Sequence, residues 1–186
     1  MRIAITRQVS PSFERCELTH LARSPIVLDV ARAQHAGYER ALSALGVSVR
    51  SLPAEPDLPD SVFVEDTAIV LDEIAVITRP GAPSRRAETE SIASALAPSR
   101  PLLRVLAPAT IDGGDVLRVG RTLHVGLSSR STTSAIEALR ALLAPHHYRV
   151  LGVGIAGCLH LKSAITLVSA DTLLVNPEWV DKAAFP

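Results

Sequence analysis

One local pattern recurs along this chain and constrains its fold more than any other feature. Two short apolar strands meet at a turn, a helix-forming stretch follows, and a third strand closes the unit. Strands are expected at 62–70 and 74–78 about Asp72-Glu73, a helix at 84–96 and a strand at 102–106. The pattern returns as a hairpin of 115–119 and 122–126 about Gly120-Arg121, a helix at 132–143 and a strand at 148–153. A third hairpin, 160–168 and 172–175, turns at Ser169-Ala-Asp171. Ahead of these lie a strand at 2–6, a helix at 29–44 that Gly46 is placed to stop, and a strand at 47–52. The closing strands start near 47, 102 and 148, so the steps are 55 and 46 residues. Repeats of this length imply a propeller or solenoid, because one such unit cannot bury its own apolar face. A plain α/β sandwich is the alternative with the same order of elements. After residue 175 the repeat calls for another helix, so the chain is expected to be a single, truncated domain over 1–186.

Composition narrows the partners. Nineteen basic residues balance nineteen acidic ones in 186 residues, which excludes a generally cationic nucleic-acid binder. No run of eighteen apolar residues is present, so no membrane span is expected. The two cysteines, Cys16 and Cys158, form no Cys-x-x-Cys pair and point to a reducing cytoplasm.

Each unit places an acidic or imidazole residue at the start of its hairpin. The first carries Asp60, Glu65 and Asp66, the second Asp112 and Asp115 around Gly113-Gly114, and the third His160. The spacing is regular, 46 residues from Asp66 to Asp112 and 48 from Asp112 to His160. If the units surround an axis, these side chains converge in one mouth, as catalytic sets drawn from distant sequence do. Clustered carboxylates select a cation, and a guanidinium matches them with a planar fork of donors. A metal is the other cation to weigh, but no His-x-His or His-Glu-x-x-His spacing supports one. His160 can act as acid and base near neutrality, with Asp112 fixing its tautomer. Lys162, two residues on and expected on the same strand face, is a candidate ion-pair partner. Arg85 and Arg86 sit at a helix start, where one of them meeting an anion is the functional alternative to surface charge, and Arg130, between a hairpin strand and a helix, is a candidate to bind a carboxylate for the same reason. The glycine pair lacks the pattern of a phosphate loop and reads as a bend or a close approach.

Five pieces in this order resemble the dimethylargininases, the N(G),N(G)-dimethylarginine dimethylaminohydrolases of the guanidino-modifying (pentein) superfamily. They are Asp60-Ser-Val-Phe-Val-Glu-Asp66, Thr78-Arg-Pro-Gly-Ala-Pro-Ser-Arg-Arg86, Asp112-Gly-Gly-Asp115, Gly126-Leu-Ser-Ser-Arg130 and His160-Leu-Lys-Ser-Ala164. The resemblance implies an α/β propeller of ββαβ units, with about three to four of five blades in this chain. It implies His160 as general acid and base and Asp112 as its acidic partner. Glu65 and Asp66 would face the guanidinium. Asp60, Arg85 and Arg130 would hold the amino-acid end, and the backbone of Leu18, in a flap, would meet the substrate. The family reaction releases dimethylamine and citrulline through a cysteine nucleophile, with no metal and no cofactor. That cysteine belongs to the last blade, beyond the end of this chain, so this chain alone is expected to be inactive and to need a C-terminal segment or a second copy. An arginine deiminase, a non-catalytic binder of arginine-like ligands and a structural relative are the alternatives.

Overall fold

The computed structural model describes residues 2–19 and 21–185. They group into two compact units, Met1–Val64 and Glu65–Pro186.

In the first unit, β1 (Ile3–Arg7) and β2 (Ser48–Leu52) pair in parallel, Ile3 opposite Ser48 and Arg7 opposite Leu52. A parallel pair needs a long crossover, which α1 (Leu28–Ala44) provides. The stop at Gly46 has a specific geometry. Gly46 N–H bonds Ser43 O, Val47 N–H bonds Leu42 O, and Gly46 has φ +78°. This is the reciprocal pair of bonds that satisfies the last helical carbonyls when a left-handed residue follows the helix. The helix is tied to the strand by Thr6, whose hydroxyl donates to Glu39 at 2.6 Å.

The second unit repeats. A helical turn at Val64–Thr67 leads into β3 (Ala68–Val70) and β4 (Ala75–Ile77), then α2 (Glu88–Leu96) and β5 (Leu102–Arg104). A second turn at Gly113–Asp115 leads into β6 (Val116–Val119) and β7 (Thr122–Leu127), then α3 (Thr133–Leu143) and β8 (Arg149–Gly154). The sheets β3-β4-β5 and β6-β7-β8 share one plan, an antiparallel hairpin whose second strand takes a parallel neighbour. A third turn, α4 (Leu161–Ala164), precedes the hairpin of β9 (Ile165–Ser169) and β10 (Thr172–Val175). Helix α3 buries Ala135, Ile136, Leu139 and Leu143, spaced along one face, against Leu123, Val125 and Val150. Each such large aliphatic side chain stabilises the fold by roughly 1.5–3 kcal/mol.

Two expected strands begin later than the sequence suggests. Residues 64–67 and 161–164 are helical turns, not strand. At 161–164 a polar group captures a backbone donor that a β ladder would otherwise use. Asp115 Oδ1 accepts Leu161 N–H at 3.0 Å, an otherwise orphaned donor at the start of α4. Asp66 Oδ1 accepts Gly114 N–H at 2.9 Å in the same way. The carboxylate ending one unit's turn thus caps the turn of the next. Lys162 accordingly lies on a helical turn and not on a strand face.

Candidate active site

The three turns carry the polar residues to one place. Asp66, Asp112 and His160 each offer an atom within 4.8 Å of the other two. The two aspartates are buried, and Asp112 is 0 % exposed. Asp112 Oδ1 accepts Gly81 N–H at 2.8 Å, while its Oδ2 has no hydrogen-bond donor among the described residues and lies 3.9 Å from Arg130 Nη1. His160 turns Nε2 toward Asp66 Oδ1 at 3.8 Å and Nδ1 toward Asp115 Oδ1 at 3.5 Å.

The backbone around these groups is packed to its limit. A Cβ on Gly114 would lie 2.7 Å from His160 Cδ2 and 2.8 Å from Asp66 Oδ1. A Cβ on Gly113 would lie 2.0 Å from Glu65 O, and one on Gly81 would lie 2.5 Å from Arg130 Cα. The Gly113-Gly114 pair therefore serves close approach.

Electrostatics set the protonation states. Burial alone would lower the pKa of His160, but Asp115, Asp66 and Asp112 outweigh it and hold the imidazolium above the ordinary histidine range. Burial pushes the Asp112 carboxyl up, and Asp66 adds to this against the Gly81 N–H. Asp66 is also balanced from behind. Arg85 donates from Nη1 to Asp66 Oδ2 at 2.7 Å and from Nη2 to Glu88 Oε2 at 2.9 Å, and the two carboxylates raise its pKa against burial. A metal ion would meet three converging atoms here, but Arg85 already neutralises Asp66.

The other expected residues are placed as follows. Glu65 is exposed and pairs with Lys162 Nζ at 2.6 Å, which gives Lys162 the ion-pair role expected of it. Arg85, expected at the amino-acid end of a ligand, is engaged with Asp66 and Glu88. In the first unit Leu18 is 39 % exposed, and Asp60 is buried and accepts Glu17 N–H at 3.1 Å. Cys16 and Cys158 both have thiols held above the ordinary range, chiefly by burial and also by Asp60 and Asp115 respectively. Sequence reasoning passed over Glu88 and Ser131, and it placed Asp115 in the acidic cluster and Ser128 in a motif without giving either a role. Asp115 carried a signal, since it stands to Leu161 as Asp66 stands to Gly114, one repeat earlier.

The arginine deiminase family model matches residues 54–185. The chain is 40 % identical over 172 residues to the N(G),N(G)-dimethylarginine dimethylaminohydrolase of Streptomyces coelicolor, covering 92 % of this chain and 67 % of that one. It is 37 % identical to the Pseudomonas aeruginosa enzyme of the same name over 161 residues, 84 % of this chain and 63 % of the other. The solved structure of a cysteine-to-serine variant of the Pseudomonas aeruginosa enzyme, complexed with citrulline, superposes with a TM-score of 0.89 at 34 % identity, covering 94 % of this chain and 69 % of that chain. The N-terminal domain of the cyanobacterial arginine dihydrolase ArgZ superposes with a TM-score of 0.81 at 18 % identity, which supports the α/β fold alone. The chain spans about two thirds of the length of these curated relatives. Among the described residues no helix is long and apolar enough to cross a membrane. The chain belongs to the dimethylarginine dimethylaminohydrolase family of the pentein superfamily.

Proposed function

We propose that this chain supplies the guanidinium-binding and proton-transfer part of a hydrolase that converts N-omega-methylated arginines to citrulline and an alkylamine, within one propeller domain and in a reducing cytoplasm. The observation that carries the reading is the convergence of Asp66, Asp112 and His160. Asp66, Asp112 and Asp115, with Glu65 and Glu88 beside them, outnumber the permanent cations Arg85, Arg130 and Lys162. A cationic ligand and a charged imidazole restore the balance. Asp112 Oδ2 is a buried acceptor that a ligand N–H would satisfy.

The chemistry follows from these states. A thiolate attacks the central guanidinium carbon, and the C–N bond to dimethylamine breaks as the His160 imidazolium protonates the departing nitrogen. The imidazole then takes a proton from water, which displaces the thiolate and leaves citrulline. Neither cysteine of this chain is activated for the attack, since both thiols are held protonated by burial and by a neighbouring carboxylate. Arg85 keeps Asp66 oriented, and Arg130, whose Nη1 lies 3.9 Å from Asp112 Oδ2, is assigned to a ligand carboxylate on family resemblance. Leu18 and Asp60 are assigned to the amino-acid end on family resemblance alone.

The state of the cysteines also favours a second reading, a ligand binder without turnover. One experiment separates the two. Calorimetry of the 186-residue chain with asymmetric dimethylarginine is expected to give saturable binding that Asp66→Ala weakens. A citrulline assay is expected to stay blank until the chain is fused to the last third of the Streptomyces relative, and His160→Ala then abolishes the product. Binding by both forms with no turnover in the fusion leaves the binder. No binding by either form overturns both readings.

A further inference from the structure

His124 sits in the middle of β7, opposite Leu117 of β6 and Leu151 of β8. It is 0 % exposed, and neither ring nitrogen has a hydrogen-bond partner among the described residues. Its neighbours Leu123 and Val125 belong to the core that α3 covers, so strand alternation turns His124 to the other face of the sheet. That face is apolar, with Leu117, Val153, Ile165 and Val180 buried on it. Over the imidazole itself lies Phe185, the two ring centres 4.6 Å apart.

The charge that acts on the ring is Arg149 of β8, of the same sign as an imidazolium. The other charged groups around it are engaged elsewhere. Arg118 of β6 pairs with Asp72, and Arg121 of the β6–β7 turn pairs with Glu73. At the far end of β7, Asp115 is held by Ser128, Ser131 and Leu161 N–H. Asp171 of the third hairpin bonds Ser169 and Thr172, and Lys162 of α4 pairs with Glu65. The Cys158 thiol is kept protonated by burial and by Asp115. On the covering segment, residues 176–185, Asp181 accepts Ala183 N–H at 2.8 Å, while Glu178 and Lys182 are exposed. Burial and Arg149 together hold the His124 pKa below the ordinary 6.5.

The same segment reaches the loop that leads to His160. Ala156 N–H bonds Trp179 O at 3.0 Å, and Ile155 bridges Val180. The Trp179 indole lies against Gly157, where a Cβ would come within 3.0 Å of its Cδ1. We infer that His124 is an acid-sensitive latch: a proton on its ring frees residues 176–185, and with them the loop that leads to His160. A buried imidazolium beside Arg149 and without an acceptor is unfavourable, whereas in the open form the ring reaches water. The closed form is therefore complete above the ordinary 6.5 and is lost as pH falls below it. One proton is taken up, so the closed-to-open ratio falls by at most about tenfold per pH unit. The opening stands without the hydrolase reading proposed above. Its effect on a ligand rests on that reading.

Trp179 is the only tryptophan of the chain and lies in the segment, so its fluorescence reads the latch directly. In the ligand-free chain its emission is expected to shift to the red, and its quenching by acrylamide to rise, as pH falls below 6.5 with far-UV ellipticity unchanged. His124→Phe keeps a ring against Phe185, cannot titrate, and is expected to abolish the shift. His124→Leu is the second such variant should the larger ring not fit. Phe185→Ala, which removes the cover, is expected to move the shift to higher pH. His160→Gln is expected to leave it in place, because that ring titrates above 6.5. A shift retained in the His124 variants overturns the inference, as does one that Phe185→Ala leaves unmoved or His160→Gln removes. A wild-type shift that appears only as far-UV ellipticity is lost overturns it too. Dimethylarginine titrated into the same samples tests the hydrolase reading separately, since absence of binding on both sides of the shift fails that reading and leaves the latch standing.

Discussion

Gly114 has no room for a side chain, and the atoms that deny it room are those of the site. An alanine there would press on His160 Cδ2 and Asp66 Oδ1, both side-chain atoms able to shift. Gly114→Ala is therefore expected to abolish dimethylarginine binding in calorimetry while lowering stability by about 1 kcal/mol. Gly113 faces backbone, the carbonyl of Glu65, which cannot shift as cheaply. Gly113→Ala is expected to lose about 3 kcal/mol in urea denaturation. Equal stability losses at the two positions would contradict this division. His160 adds a pH signature. Its folded pKa is raised above the ordinary 6.5, so its contribution to stability is complete below that value and is lost as pH rises through the folded one. The elevated Asp112 acts with the same sign from 3.8 upward, because the folded state keeps its proton longer. The stability difference between wild type and His160→Gln should shrink as pH rises through the His160 titration. A difference that is flat or grows with pH would refute the assignment of charge.

At the scale of elements, Gly46 isolates a backbone effect. Its φ is +78°, and a Cβ there would meet no atom within 4 Å. Gly46→Ala should cost about 1–2 kcal/mol from left-handed strain alone, readable as a lowered urea midpoint with unchanged slope. A neutral result would mean that the α1 terminus rearranges freely. This stop was legible in the sequence because a glycine after a run of helix formers acts locally. The two central hairpin turns, Asp72-Glu73 and Gly120-Arg121, were legible for the same reason, and so was the buried face of α3. The turns at 64–67 and 161–164 were not. Val62, Phe63 and Val64 carry strand propensity, so the turn at 64–67 reads as strand, and the turn at 161–164 is capped by a bond from a residue 46 positions away, Asp115 to Leu161. The site was half legible on the same grounds. Repeat spacing brought Asp66, Asp112 and His160 together, while spacing alone could not say which aspartate the imidazole faces, since Asp112 and Asp115 lie three residues apart on one turn.

At the scale of the whole molecule, apolar surface and charge act together. The sheets β3-β4-β5 and β6-β7-β8 each protect the second strand of a hairpin with a parallel neighbour, whereas β9 and β10 pair only with each other among the described residues. Val168 is 64 % and Leu174 66 % exposed on that hairpin. A strand edge without a further neighbour, beside exposed aliphatic side chains, is a template for edge-to-edge association. Charge does not oppose it, because the formal net charge is zero at pH 7, and a chain without net charge has no long-range repulsion between copies. Light scattering should therefore show concentration-dependent association that is greatest near pH 7 and weakens on either side as net charge develops. Leu174→Lys acts on both causes, placing a charge on the strand and removing an aliphatic contact, and should reduce association at pH 7 without changing the urea midpoint. An equal charge added on the exposed face of α1, for instance at Gln34, changes net charge alone. If it suppressed association as strongly as Leu174→Lys, net charge would be the cause and the β9–β10 hairpin would not be the contact.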